Sequence, residues 1–443
     1  MQSFNLSISE ESTRFLKGGA MKHMIIYGAD EYGLYAKKTI LDSYKDLQTI
    51  YFSDQKEKLM DFHNMHPEEP IIEEKFLSDQ TDKQIVIASL GHREQKYTRL
   101  MEYKISPERI LKDWRGLEEI PYTRTAIEIT SGCNARCKYC PTGRYNFERG
   151  KAERGDVLSF EDFKEIMLYM QRKHILLPGA IVDLYNWGEP FWNPDFKKIA
   201  MWLSENGYEF TASTNASIPV YFEGKEDLSG LKNLIFSMPG FSQTSYDKIH
   251  GFSFEKIKRN IQSMVENFRM HGFTGNCKIA FHIYQFNIHE ISLAKKFARQ
   301  LDIDFYPYFA IPAAIDLAFG FIDHTIDYSI LREMSKDLIT FYIDDLVQER
   351  PADYSCQQDN LLTINEKGQL ILGCCANSHS KVCGDNYCLG NIRQMELKDI
   401  KQKKREIFNS STCSYCRKIG ADYFGSNGGN RSSEILRKIL TDM

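Results

Sequence analysis

No stretch of this chain approaches the ~20 consecutive apolar residues that a membrane span requires, so no membrane partner is expected. The polar opening, residues 1–15, has neither the basic flank nor the apolar run of a signal peptide. That predicts a cytoplasmic protein. An excess of one charge sign is also lacking, because 56 Lys and Arg stand against 60 Asp and Glu for a net charge of −4. Such a balance gives no electrostatic footprint for nucleic acid or an anionic surface, which points to a small molecule or a peptide as substrate. There is no internal repeat and no compositional bias toward disorder. With 443 residues, 42% of them hydrophobic, the chain is long enough for about three ordinary domains.

What the chain does have is eleven cysteines. Thiols in the cytosol stay reduced, so in a long chain without a secretion signal they suggest metal ligation or catalysis rather than a disulfide framework. Their placement agrees: three lie within Cys133 to Cys140, seven between Cys356 and Cys416, and Cys277 stands apart.

Residues 1–20 read as a flexible tail. From 21 to 118 a β–turn–α pattern followed by two further strands predicts a small Rossmann-like α/β domain with a parallel sheet. Its turn, Gly28-Ala29-Asp30-Glu31-Tyr32-Gly33, has the outline of a dinucleotide fingerprint, with Asp54 where an acidic ribose ligand would sit. Asp30, however, takes the place of the glycine that admits pyrophosphate, and its charge would repel one. A structural turn without a nucleotide is the simpler reading.

From 119 to 310 short apolar strands alternate with amphipathic helices. The expected strands are Ala126–Thr130, Ala180–Tyr185, Tyr208–Ser213, Leu234–Ser237, Cys277–Tyr284 and Phe305–Phe309. The helix Phe160–Lys173 is announced by Ser159 and Asp162 as a capping pair. Consecutive β/α units with right-handed crossovers predict a parallel sheet curled into a partial (β/α)6 barrel, with functional groups at the C-terminal ends of its strands. A helical bridge is expected over 311–351, a cysteine-rich domain over 352–425, and a tail with a short helix over 426–443.

Directly after the first barrel strand the chain reads Gly132-Cys133-Asn134-Ala135-Arg136-Cys137-Lys138-Tyr139-Cys140, a C-x3-C-x2-C loop. Three thiolates leave one iron of a four-iron cluster open, since such clusters usually take four. Zinc is the alternative, but zinc sites usually pair two C-x2-C-like arms and close at four ligands. The loop resembles that of the radical S-adenosylmethionine (SAM) superfamily, including the aromatic residue, here Tyr139, before the last cysteine. The resemblance implies a [4Fe-4S] cluster on Cys133, Cys137 and Cys140, with SAM on the open iron. It extends along the barrel. Gly188-Glu189-Pro190 is similar to the family's GEP segment, in which backbone and the Glu189 carboxylate would hold the SAM ammonium, although Asn186-Trp187 ahead of it departs from the more usual second glycine. Ser213-Thr214-Asn215-Ala216 is similar to the strand end that bonds the ribose, and Phe236-Ser237-Met238-Pro239-Gly240 to the segment whose serine contacts SAM. Tyr139, Gly188, Glu189, Ser213, Asn215 and Ser237 are thus the residues implied to surround the cofactor.

The C-terminal pattern of Cys356, Gly368 to Cys375, Leu389-Gly390-Asn391-Ile392 and Cys413-Ser414-Tyr415-Cys416 resembles the SPASM/twitch extension of that superfamily. The short twitch form, with one auxiliary [4Fe-4S] cluster on Cys356, Cys374, Cys413 and Cys416, fits best. Cys375 competes with Cys374, which we take as the ligand; Cys383 and Cys388 are spare ligands, a labile pair or inert, and the sequence leaves the three open; Cys277 reads as a small buried hydrophobe. Four thiolates also suit a structural zinc.

The resemblance implies an oxidoreductase that takes electrons from a one-electron donor such as flavodoxin or ferredoxin. Its expected reaction is dehydrogenation or epimerisation of a sugar, cyclitol or similar small molecule, with the auxiliary cluster as electron relay and the first domain free to hold a nucleotide-linked handle. A maturase acting on a ribosomal peptide is the second reading, and a non-catalytic metal-stabilised binding protein the third. No catalytic acid or base is named by the sequence. His282, Tyr284, Tyr308 and Asp316 are residues that would face the barrel interior.

Overall fold

A computed structural model describes residues 22–43, 47–88, 93–111, 121–312, 361–374 and 388–418, together with short stretches between 319 and 339, Cys356 and Gln358. It divides into two compact units, one of residues 1–123 with 351–360, the other of residues 124–350 with 361–443. Asp316, Cys375, Cys383, the expected tail over 1–20, about two thirds of the expected bridge and the terminal helix lie outside the described residues.

In the first unit the elements are β1 (His23–Tyr27), α1 (Glu31–Ser43), β2 (Thr49–Ser53), α2 (Lys56–Met65), β3 (Gln84–Ile87), α3 (Arg93–Glu102) and β4 (Ile110–Leu111). The four strands pair in parallel in the order β2-β1-β3-β4. Strand β1 is buried almost throughout, as a central parallel strand covered on both faces must be. Its turn into α1 is tight: a Cβ on Gly28 would lie 2.0 Å from the Ala88 carbonyl oxygen.

The acidic residues of this turn are used internally. Asp30 accepts from the Gly33 amide at 3.1 Å and pairs with Lys58 at 2.9 Å. Asp54, buried, accepts from the Ala29 amide at 3.1 Å, the Lys96 ammonium at 3.0 Å and its neighbour's amide at Gln55 at 2.8 Å. Burial alone raises its pKa, but Lys96, Lys58 and the amide bonds outweigh it and hold the carboxyl below its ordinary value. A depressed pKa contributes stability that is present above the unfolded value, about 4, and lost as pH falls through the folded one. Asp54→Asn should therefore lower the stability of the first unit by roughly 2–4 kcal/mol at pH 7, read as an earlier urea transition. The deficit should shrink as the pH is taken below about 4.

In the second unit the strands are β5 (Tyr122–Ile127), β6 (Leu176–Asp183), β7 (Glu209–Thr214), β8 (Leu231–Met238), β9 (Asn276–Ile283), β10 (Asp304–Phe309), β11 (Leu362–Ile364), β12 (Gln369–Ile371) and β13 (Cys388–Asn391). The helices are α4 (Pro141–Arg149), α5 (Phe160–Arg172), α6 (Phe196–Glu205), α7 (Gln243–Lys248), α8 (Phe254–Met270), α9 (Ile291–Gln300), α10 (Leu397–Phe408) and α11 (Ser411–Lys418). One nine-stranded sheet runs β10-β9-β8-β7-β6-β5-β11-β12-β13. The pairs from β6 to β10 are parallel, as β/α alternation requires.

Helix α8 shows why these segments pack as they do. It buries Phe254, Ile257, Ile261, Met264, Val265 and Phe268, spaced at three and four residues along one stripe, and each such side chain contributes about 1.5–3 kcal/mol when fully buried. The capping pair of α5 is present, with Ser159 Oγ accepting from the Asp162 amide at 3.1 Å.

Several features differ from the sequence-based expectation. Strand β6 runs Leu176–Asp183 rather than Ala180–Tyr185, and β8 runs Leu231–Met238 rather than Leu234–Ser237. Strand β5 begins at Tyr122 and ends at Ile127 rather than spanning Ala126–Thr130, because Arg124, polar within the run, is held there by two hydrogen bonds to Asp183 at 2.6 and 2.9 Å. The cysteine-rich segment adds strands to the same sheet, β11 pairing in parallel with β5 and continuing as the antiparallel β12 and β13. Among the described residues no helix is long and apolar enough to cross a membrane.

Candidate functional site

The loop carrying Cys133, Cys137 and Cys140 lies between β5 and α4, at a strand's C-terminal end. Pro141 starts α4 immediately after Cys140, where proline's missing N–H costs nothing, and the first-turn backbone of Thr142 and Gly143 pulls the Cys140 pKa down against the larger effect of burial. Gly143 is required by clearance: a Cβ there would lie 2.6 Å from both the Cys137 amide nitrogen and its carbonyl oxygen. The loop is fastened from below by Asn146, buried, whose Nδ2 donates to the carbonyls of Cys133 at 2.6 Å and Ala135 at 2.9 Å.

The three thiols face one another closely enough to interact. Burial raises the pKa of each; the Cys140 and Cys133 sulfurs further raise that of Cys137, and Glu189 and Cys140 that of Cys133. As bare thiols they are therefore neutral, and a bound cation is what would hold them as thiolates. Around them stand polar atoms without hydrogen-bond partners among the described residues: the Tyr246 hydroxyl, His250 Nδ1 and Thr142 Oγ1, all in buried residues. Three buried thiols that act on one another electrostatically, with unused polar atoms nearby, are the chemistry an iron–sulfur cluster with a ligand beside it would use, although among the described residues no group of three or more Cys, His, Asp or Glu is arranged to hold a single metal ion.

The strand-end residues expected at the cofactor meet the same loop. Gly188 lies so close that a Cβ would sit 1.8 Å from the Thr130 carbonyl oxygen. The Glu189 amide donates to the Gly132 carbonyl at 2.8 Å. Its carboxylate accepts from Thr214 Oγ1 at 2.6 Å, the Asn215 amide at 2.8 Å and the Phe191 amide at 3.2 Å. A carboxylate has about four acceptor positions, so three internal bonds leave about one for a ligand ammonium. Burial pushes the Glu189 carboxyl up to about 7 against those hydrogen bonds. Asn215 reaches the loop itself, donating to Asn134 Oδ1 at 3.0 Å and the Cys133 sulfur at 3.7 Å. Ala216, which follows Asn215, adopts φ 59°, a left-handed conformation that costs roughly 1–2 kcal/mol with a Cβ. Ser213 and Ser237 lie on β7 and β8 at part-exposed positions that alternate with buried Ala212, Phe236 and Met238. Tyr139 is buried in a cluster with Ile249, Tyr284, Ala310 and Leu338, against which Cys137 packs, and its hydroxyl lies 3.4 Å from Asp337.

Of the second group, Cys413 and Cys416 lie one turn apart on α11, and Cys413 packs with Leu372, Cys374, Ile407 and Phe408. Cys388 is on β13, paired with Ile371. Cys356 falls in the short segment that clusters with the first unit. Buried Cys277 is on β9.

Sequence reasoning missed several groups. Glu128, buried one residue beyond β5, accepts from the Trp187 amide at 2.7 Å and the Gly188 amide at 2.9 Å. The Trp187 indole Nε1–H donates to the Gly373 carbonyl at 2.9 Å. His282 and Tyr308, which the sequence did single out, lie near the ends of β9 and β10 and are hydrogen-bonded to each other; burial lowers His282 to about 4 and raises Tyr308, so both are neutral at pH 7.

Residues 127–294 match the family model described as the radical SAM superfamily. The chain carries a radical SAM domain. No curated protein sequence matches it. Solved structures resemble it at a distance. One, described as native anSMEcpe with bound AdoMet, is 15% identical with a TM-score of 0.40, over 66% of this chain and 82% of that one. SuiB of Streptococcus suis is 15% identical with a TM-score of 0.42, over 69% and 71% of the two chains. BtrN in complex with AdoMet and 2-DOIA is 12% identical with a TM-score of 0.32, over 69% and 90%. Likeness at this level decides nothing about substrate.

Burial, its largest cause, raises Glu128 to about 7 although the Trp187 and Gly188 amides pull the other way. A folded pKa above the unfolded value of about 4 means the protonated form is favoured on folding. That stability is complete below about pH 4 and is lost as pH rises through about 7. Glu128→Gln keeps an acceptor for the two amides but cannot ionise. In the metal-free protein the variant should match wild type near pH 5 and melt higher near pH 8, as differential scanning calorimetry would show; a variant that melts lower at both would refute this account.

Proposed function

We propose that this protein is a radical SAM enzyme whose Cys133, Cys137 and Cys140 hold a [4Fe-4S] cluster in a partial (β/α)6 barrel. The meeting of Gly188, Glu189 and Asn215 with the C-x3-C-x2-C loop, at Thr130, Gly132, Cys133 and Asn134, carries the reading. The cluster's open iron, with SAM bound and an electron from a donor such as flavodoxin or ferredoxin, supplies a 5′-deoxyadenosyl radical able to take hydrogen from an unactivated carbon. Tyr139, Gly188, Glu189, Ser213, Asn215 and Ser237 are assigned to the SAM side of the site. Cys356, Cys374, Cys413 and Cys416 are assigned to an auxiliary [4Fe-4S] cluster, which would accept the substrate's electron and make the reaction a dehydrogenation. Epimerisation is the redox-neutral outcome of the same start.

A sugar, cyclitol or related polyol is the substrate class we favour. The part-exposed positions of the parallel strands carry Ser213, Ser237, His282 and Tyr308, neutral groups that suit a ligand presenting several hydroxyls. The ribosomal-peptide reading is less well supported, because maturases of that kind often carry a winged-helix recognition domain whereas the first unit is a parallel α/β sheet. A non-catalytic binding protein is separated from both by experiment.

After anaerobic reconstitution with iron and sulfide, the wild type should hold about eight irons and form 5′-deoxyadenosine from SAM on reduction. Replacing Cys133, Cys137 and Cys140 together by alanine should leave about four irons and abolish SAM cleavage. Zinc in place of iron, with no cleavage, would leave only a metal-stabilised binding protein.

A further inference from the structure

We infer that Trp187 is a positioning residue that ties the segment bearing Cys374 to the turn beside the Cys133 loop, and so fixes where the second cysteine group stands relative to the first. Its redox consequence rests on the two-cluster reading above; its geometry does not. On the main-chain side, the Trp187 and Gly188 amides are held by the buried Glu128 carboxylate. Gly188 abuts the Thr130 carbonyl with no room for a side chain, and the Glu189 amide bonds the carbonyl of Gly132, the residue before Cys133. On the side-chain side, the indole N–H donates at 2.9 Å to the carbonyl of Gly373, the residue before Cys374.

The receiving end is itself confined. A Cβ on Gly373 would lie 2.8 Å from Thr363 Oγ1 of β11, so the carbonyl is presented from a segment pressed against the sheet. Cys374 then packs beside Leu372 and Cys413. The indole supplies both the reach and the donor: phenylalanine would keep the ring and lose the bond, and a second glycine in the turn would lose both. The substitution of tryptophan for that glycine is therefore matched to the added strands at the sheet edge.

The test uses the full-length chain and Trp187→Phe. In the metal-free protein, iodoacetamide labelling followed residue by residue by mass spectrometry should proceed roughly tenfold faster at Cys374 in the variant, the scale set by loss of one hydrogen bond to local opening. Cys277, Cys133, Cys137 and Cys140 should label at wild-type rates. In the reconstituted protein the midpoint potential of the second cluster, followed by electron paramagnetic resonance, should shift while that of the first does not. Unchanged labelling at Cys374, or equal acceleration at every cysteine, overturns the inference. Should Trp187→Phe not fold, Trp187→His, which keeps a ring N–H, should label Cys374 at close to the wild-type rate, and rapid labelling there overturns it equally. A wild type that binds only about four irons removes the auxiliary cluster and leaves the labelling result to judge Trp187 alone.

Discussion

A carboxylate buried at the end of β5 governs the geometry around the candidate site. An unpaired buried charge is expensive, and the amides of Trp187 and Gly188 that Glu128 accepts offset only part of that cost. The turn so held places Glu189, whose own carboxylate takes the Thr214 hydroxyl and the Asn215 amide. Asn215 in turn reaches Cys133 and Asn134, and the Glu189 amide closes the circuit on Gly132. Strands β5, β6 and β7 are thereby tied at their C-terminal ends by side chains as well as by the sheet. Removing one member leaves a buried donor or acceptor unmet, so the ring resists distortion as a unit.

The parts of this arrangement that the sequence made legible are those with local signatures. Cysteine spacing, the β/α alternation, the Ser159 cap and the glycine turn of the first unit each depend on residues a few positions apart. Gly143 and Asn146 carry no such signature. Within a helix Gly143 reads only as a weak helix former, yet it is the clearance that lets α4 abut Cys137. Asn146 reads as a surface polar residue, yet it holds two carbonyls of the cysteine loop. Glu128 reads as a strand-end charge, and its partners are 59 and 60 residues away.

The same distinction explains the C-terminal strands. Three-residue strands are too short for a period-two pattern to rise above chance. What fixes β11 is pairing with β5, supported by Thr125 Oγ1 donating to the Leu362 carbonyl 237 residues away. The cysteines of that segment are conspicuous by spacing, but their support is not, because it includes a sheet continued from the parallel strands and an indole bond to Gly373 from 186 residues away.

The first unit shows how one sequence outline can serve opposite chemistry. A phosphate-binding turn keeps its amides unengaged and its surroundings free of negative charge, so that an anion meets N–H groups and a helix N-terminus. Here the glycines that give the turn its closeness are present, but the Ala29 amide is donated to Asp54 and the Gly33 amide to Asp30. Both carboxylates are then balanced by Lys58, and Asp54 by Lys96 as well. A pyrophosphate entering that turn must displace internal bonds and meet two carboxylates before it gains any of its own. The charges that resemble a ribose-binding acid and a misplaced glycine are parts of one ionic network, which Lys58 and Lys96 complete around the turn.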